Sequence, residues 1–239
     1  MIDNLPLYIS LLFGCTTIAT LLLLVWTIKN STSEKTRKSA NYIAIVSIVW
    51  LVIQVILSWN SVYNTNTDAF PPKIILFGVL PIICTIIVVF STSKGRQFID
   101  NLPLKNLTYL HVVRIPVELV LYWLFLNKII PQIMTFEGTN FDILAGISAP
   151  FIAYFAFEKK LLNLNLVLIW NIISLGLLLN IVVTAMLSAP SPIQKIAFEQ
   201  PNIAILYFPF CWLPTFIVPI VLFSHLVAIR KLVLRTKSL

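Results

Sequence analysis

Charge is what this sequence has least of. Of its 239 residues only 11% are Asp, Glu, Lys or Arg, against about 25% in an ordinary soluble domain. With AVILMFWYC at 59%, that shortage excludes a soluble globular domain and a disordered chain. Histidine is scarcer still, at two residues, His111 and His225. Two isolated histidines cannot build the His-rich or His-Glu-x-x-His patterns of intramembrane metallopeptidases and di-iron oxidases. The three cysteines, Cys15, Cys84 and Cys211, sit in apolar runs without CxxC spacing. They read as small buried hydrophobes, so neither a disulfide framework nor thiol chemistry follows. No lysine falls inside an apolar run, which excludes a retinal Schiff base, and no Gly-x-Ser-x-Gly elbow, Walker loop or aspartate-rich prenyl-diphosphate signature is present.

What is there is apolar length. Seven stretches can cross a hydrocarbon core of about 30 Å at about 1.5 Å per helical residue: residues 7–28, 41–59, 74–92, 107–126, 141–157, 166–187 and 206–229. The expected class is an all-α, polytopic integral membrane protein with seven transmembrane helices, forming one domain over residues 1–239 with no soluble domain. Lysine and arginine concentrate on the cytoplasmic side of a membrane. Here the first, third and fifth connections and the C-terminal tail carry nearly all of them, from Lys29, Lys35, Arg37 and Lys38 to Arg235 and Lys237, whereas the opposite side holds only Lys73, Lys128 and Lys195. An outside N-terminus, a cytoplasmic C-terminus and a multi-pass location in the cell membrane follow. The net charge of +8 is thereby accounted for by topology, and nucleic acid is not an expected partner. Residues 1–6 carry Asp3 and no basic residue, so a cleaved signal is not expected. Phe13 before Gly14-Cys15 is too large for a lipoprotein cleavage box, so lipidation is not expected either. Pro81 and Pro219 stand at similar depths in the third and seventh stretches, but Trp50 and Trp170 do not match in the second and sixth, which argues against a three-plus-one-plus-three repeat.

Ionisable residues inside hydrocarbon are costly and default to function. The fourth stretch carries His111, Arg114 and Glu118, and their spacing puts all three on one helical face, with Tyr122 continuing it outward. Counted from residue 107, they lie roughly 6, 10 and 16 Å in, Glu118 closest to the midplane. Pro116 stands between Arg114 and Glu118 and disfavours a normal bond at the Val112 carbonyl. A freed carbonyl beside a buried Arg and Glu suits a ligand or proton site. An Arg114–Glu118 ion pair that holds the helix to its neighbours is the structural alternative, and the two stay open.

Secondary candidates are Asp142, Asn180 and His225. Asp142 follows Thr139-Asn140-Phe141 and reads as a helix start, an acid suited to the positive end of the dipole. Asn180 and Thr184 are one turn apart and could line a cavity. His225 lies at about the depth of His111, so the two could ligate haem iron, although hydrogen-bonding locally is the simpler role. Pro209, Pro214 and Pro219 interrupt the seventh stretch, which marks it as a candidate moving element. Asn140, Thr135, Glu137 and Asn202 read as solvated loop polarity. No metal or cofactor is expected. The expected function is a small transporter or ion-coupled carrier, with the lipid bilayer and a small molecule or ion as partners. A non-transporting accessory or assembly protein is the alternative, and a haem-binding or lipid-modifying enzyme a third.

Overall fold

A computed structural model describes Ile2 and residues 4–236. Asp3, Lys237 and Leu239, on which part of the topology reading rests, lie outside the described residues. Ten α-helices form among the described residues: α1 Leu7–Lys29, α2 Glu34–Lys38, α3 Ala40–Trp59, α4 Leu80–Ser91, α5 Ser93–Asp100, α6 Leu104–Leu110, α7 Arg114–Leu126, α8 Asp142–Ala153, α9 Leu164–Ser188 and α10 Val218–Thr236. No strand occurs among the described residues. Apolar side chains leave a backbone nothing to bond but itself, and in hydrocarbon the helix is the local solution.

Among the described residues five helices are long and apolar enough to cross a membrane: Leu7–Lys29, Glu34–Trp59 (α2 running into α3), Leu104–Leu126, Leu164–Ser188 and Leu213–Leu234. The pair Ile75–Ser91 and Ser93–Asp100, bent by 90°, makes a sixth if counted as one span. The fifth expected stretch forms the 12-residue α8 and a five-residue π-helical turn, Tyr154–Glu158, and is not among the helices long enough to cross.

The burial pattern runs opposite to that of a soluble helix. On α9 the inner stripe is Val167, Asn171, Ser174, Leu178, Ile181, Thr184 and Ser188, while Ile169, Ile172, Ile173, Leu179 and Val183 face out. On α3 the buried residues include Gln54 and Ser58, and Ile45, Ile48, Val49, Val52 and Ile56 are exposed. Exposed apolar surface of this extent needs lipid around it. The inward polar groups of α1 satisfy themselves, since Thr16, Thr17, Thr20 and Thr27 each donate to the carbonyl four residues back.

Prolines set the breaks. A proline removes one helical hydrogen bond and crowds the carbonyl four residues before it. Ahead of Pro81 the chain widens into a π-turn, Ile75–Val79, and ahead of Pro219 into another, Leu213–Ile217. The two carbonyls so released, Phe77 O and Thr215 O, are taken by one neighbour: Gln54 Nε2 donates to the first at 3.4 Å and Trp50 Nε1 to the second at 2.9 Å. Trp50 and Gln54 are one turn apart on α3, so this helix secures both breaks. The π-turns also touch, and a Cβ at Gly78 would run into the Thr215 Cγ2 methyl.

Pro116 acts differently. It is the third residue of α7, just past the point where the α-helical ladder is interrupted, so its missing N–H costs less than it would in a helix interior. The fourth span reaches it through a 3-10 turn, His111–Val113. Because this span starts at Leu104 and has 23 residues, Arg114 stands about 15 Å along a length of about 34 Å. Along this helical stretch Arg114 therefore stands nearer the middle than Glu118 does.

Candidate polar site at mid-depth

Arg114 Cα starts α7, and its guanidinium leaves the helix toward α8. Arg114 Nε donates to Asp142 Oδ2 at 2.6 Å and Arg114 Nη2 to Asp142 Oδ1, a bidentate pair in which both side chains are buried. Nη2 also donates to the Ser174 carbonyl of α9 at 2.9 Å, and Nη1 to His225 Nε2 of α10 at 3.2 Å. One guanidinium thus ties α7 to three other helices, using the planar fork that suits Arg to this role. The close approach of α8 depends on Gly146, one turn beyond Asp142: a Cβ there would stand 3.0 Å from Ile115 Cγ1 and 3.2 Å from Arg114 Cβ.

The Arg114–Glu118 ion pair considered from the sequence does not form. Side chains at i and i+4 share a face, but Asp142 meets the guanidinium side-on and engages both Nε and Nη2. Asp142 is the first residue of α8 and makes no side-chain cap to it; its carboxylate goes to Arg114, in place of the capping role expected. Its position at the positive end of the helix dipole still favours the charge.

Glu118 has a partner of its own. Asn140 Nδ2 donates to Glu118 Oε2 at 2.7 Å and to the Met134 carbonyl at 3.0 Å, while Asn140 Oδ1 accepts from the Asp142 N–H at 3.1 Å. This Asx turn links the two carboxylates. It exists because the segment between α7 and α8 folds into the bundle: Ile130, Met134, Thr135 and Asn140 are all completely buried. The solvated-loop reading fails here for Thr135 and Asn140. A second inward segment, between α9 and the Leu213–Ile217 turn, is tied to the first by Gln200 Nε2 donating to Ile130 O at 2.5 Å and Ile203 N to Ile129 O at 3.2 Å. Asn202 is likewise buried and donates to Ala185 O at 3.3 Å.

The histidines meet. His111 and His225 stack with ring centroids 3.9 Å apart and planes at 23°, and Trp170 packs edge-on to His111 at 5.5 Å. Arg can only donate, so His225 Nε2 accepts, and His225 Nδ1 carries the proton it donates to Asn171 Oδ1 at 3.1 Å. Asn171 in turn donates to Val167 O at 2.9 Å. Ring lone pairs lie in the ring planes, so face-to-face stacking is not a geometry that chelates a metal or haem iron. His111 is fully buried, and neither of its ring nitrogens has a hydrogen-bond partner. Asn106 Nδ2, toward the Lys105–Glu158 end of the same span, is buried without a partner as well.

Of the residues singled out from the sequence, His111, Arg114, Glu118, Asp142 and His225 come together. Tyr122 does not join them: its hydroxyl donates to Glu137 Oε1 at 3.0 Å at the exposed side and its ring packs on Phe136. Asn180 is exposed and donates to Thr139 O at 3.0 Å, bonding none of these five side chains. Pro116 shapes the start of α7 but lies beside the polar contacts. Asn140, Asn171, Ser174 and Trp170 also belong to the site, and of these only Asn140 stands out in the sequence, as loop polarity. The one available signal was register, since Asn171 and Ser174 share a helical face.

The chain belongs to the family described as a domain of unknown function (DUF8737), whose sequence model matches residues 69–233. That match contains every residue of the cluster. No curated protein and no solved structure matches the chain.

Proposed function

We propose that this family member is a small proton-coupled carrier of the cell membrane, with seven spans, an outside N-terminus and a cytoplasmic C-terminus, whose coupling site is the mid-depth cluster. The observation that carries this reading is surplus. Arg114 and Asp142 compensate each other, and a purely structural tie between helices would stop there. Glu118 is a further buried acid held by the Asn140 amide, and His111 is a buried base with no hydrogen-bond partner. Burying ionisable groups beyond what pairing requires is costly, and in a membrane such groups mark ion or proton pathways. In this scheme Glu118 binds and releases the proton, and Asn140 senses the change, since it also positions Asp142. His111 and the unpartnered Asn106 lead toward the end of the span at Lys105. The transported partner is a small molecule or ion, and the breaks before Pro81 and Pro219 supply the elements that move.

A second reading, a non-transporting assembly protein, draws on one observation: Arg114 and Asp142 saturate each other in a buried setting, as a structural tie would. Purified protein in liposomes loaded with a pH-sensitive dye separates the two. A carrier acidifies the lumen under an imposed potential, and Glu118→Gln, which keeps an acceptor for Asn140, abolishes this while stability stays within about 1 kcal/mol of the parent. Wild-type protein that moves no protons, or a Glu118→Gln variant that moves them normally, overturns the proposal.

A further inference from the structure

Away from the polar cluster, α3 and α4 splay apart and leave a cavity of about 380 Å³, within the range of about 300–1,000 Å³ of small-ligand sites. Its walls are Tyr42, Ser47 and Trp50 on α3 and Pro81, Thr85 and Val89 on α4; α1 and α10 form its floor. Apart from the hydroxyls of Tyr42, Ser47 and Thr85 and the indole N–H of Trp50, already bonded to Thr215 O, the lining is hydrocarbon. From Tyr42 to Trp50, as from Val89 to Pro81, is about 12 Å of helix. That is close to the depth of a single leaflet, half of a core of about 30 Å. The groove therefore begins at one membrane surface and stops near the midplane.

The surface end is basic. Lys35 and Lys38 lie on α2, directly before α3, eight residues ahead of the lining residue Ile43 and four ahead of the lining residue Tyr42. On the other wall the chain turns by 90° into α5, which carries Lys94 and Arg96 along the same surface. Glu34 is engaged by Lys38 at 2.8 Å and Asp100 by Arg230 at 3.0 Å, whereas Lys35 and Lys94 are exposed and form no ion pair among the described residues.

We propose that this groove binds an anionic phospholipid of the leaflet on the α2/α5 side, one acyl chain lying between α3 and α4 and the headgroup phosphate on Lys35 and Lys94. A leaflet-deep apolar slot matches an acyl chain, and uncompensated lysines at its mouth match an anionic headgroup, each contributing at the membrane surface. The inference is independent of the carrier reading, because none of the cluster residues lines the groove.

Native mass spectrometry of the purified full chain, incubated with phosphatidylglycerol or phosphatidylcholine of identical chains, tests it. Phosphatidylglycerol is expected to bind more tightly. Lys35→Gln and Lys94→Gln should each reduce that preference about fivefold, without loss of phosphatidylcholine. Thr85→Trp, a filling substitution at an exposed position, should displace both lipids, and Ser47→Trp from the opposite wall should do the same if the first variant folds poorly. Equal affinity for the two lipids, or lipid binding unchanged by both tryptophans, overturns the proposal. So does a protein dimer that retains no lipid and dissociates with Thr85→Trp, since the groove would then hold a second copy of this chain.

Discussion

At the residue scale, the arrangement turns on which acid Arg114 keeps. Breaking a buried ion pair by removing one partner typically costs about 3–5 kcal/mol, because the other charge is left uncompensated, whereas replacing both with apolar residues is often close to neutral. Arg114→Met is therefore expected to destabilise strongly. Adding Asp142→Leu should recover most of the loss, and adding Glu118→Leu should not. Thermal unfolding of the parent, the single and the double variants measures the coupling energy directly, and recovery with Glu118→Leu instead would reassign the pair. Tyr63 offers a second test. Its hydroxyl donates to Gln54 Oε1 at 2.5 Å, and burial, reinforced by the neighbouring Cys211 thiol, holds the phenol well above its ordinary range, so it stays a donor. Tyr63→Phe leaves that amide oxygen of a fully buried glutamine without its donor, with an expected loss of about 1–3 kcal/mol in unfolding free energy.

At the element scale, two helices break in the same way and one helix repairs both. Phe70-Pro71 precedes the first π-turn and Pro81 as Phe208-Pro209 precedes the second and Pro219, at equal spacing. The mismatch of Trp50 and Trp170 that argued against a repeat has a structural counterpart, since Trp50 bonds the Thr215 carbonyl and Trp170 bonds Ser148 at 2.9 Å. The equivalence is confined to the proline-broken helices. Where they touch, packing is tight enough to test. Gly78→Ala would push a methyl into Thr215 Cγ2, an overpacking of the kind that costs about 1–3 kcal/mol. Thr215→Ser removes that methyl and keeps the hydroxyl that donates to Cys211 O at 2.8 Å, so the double variant should regain the parent's melting temperature. A double variant no better than Gly78→Ala alone would show that the two turns do not meet there.

At the scale of the whole molecule, the basic residues and the inward polar groups divide the chain between two environments. Lysine and arginine gather at one set of helix ends, while the exposed flanks of α3 and α9 are hydrocarbon. A reporter fused after Leu239 should be active only as a cytoplasmic fusion, and a signal from the opposite compartment would invert the proposed orientation. The segments between α7 and α8 and between α9 and the Leu213–Ile217 turn are bonded to each other at the end of the bundle where α7 and α9 finish. Any solute reaching Glu118 from that side has to part them.

The all-helical class and the presence of several helices long and apolar enough to cross a membrane were legible in the chain by itself, as was the spacing of His111, Arg114 and Glu118 along one helical face. Each follows from a local cause: hydrocarbon tolerates no unpaired backbone, so apolar length becomes helix, and helical periodicity assigns faces. The count of spans was less legible, because a helix as short as α8 or as bent as α4 with α5 differs from a full span by a few residues of composition. The partner of Arg114 was not legible at all. Sequence spacing favours Glu118, one turn away, whereas Asp142 arrives only because an apparently ordinary loop sinks into the bundle and Gly146 lets α8 lie against α7. How deep a connection goes depends on the space other helices leave for it, and how two guanidinium nitrogens are matched depends on the angle at which a carboxylate approaches. Both are set by tertiary packing, since neither has a local energetic signature that a run of residues could carry.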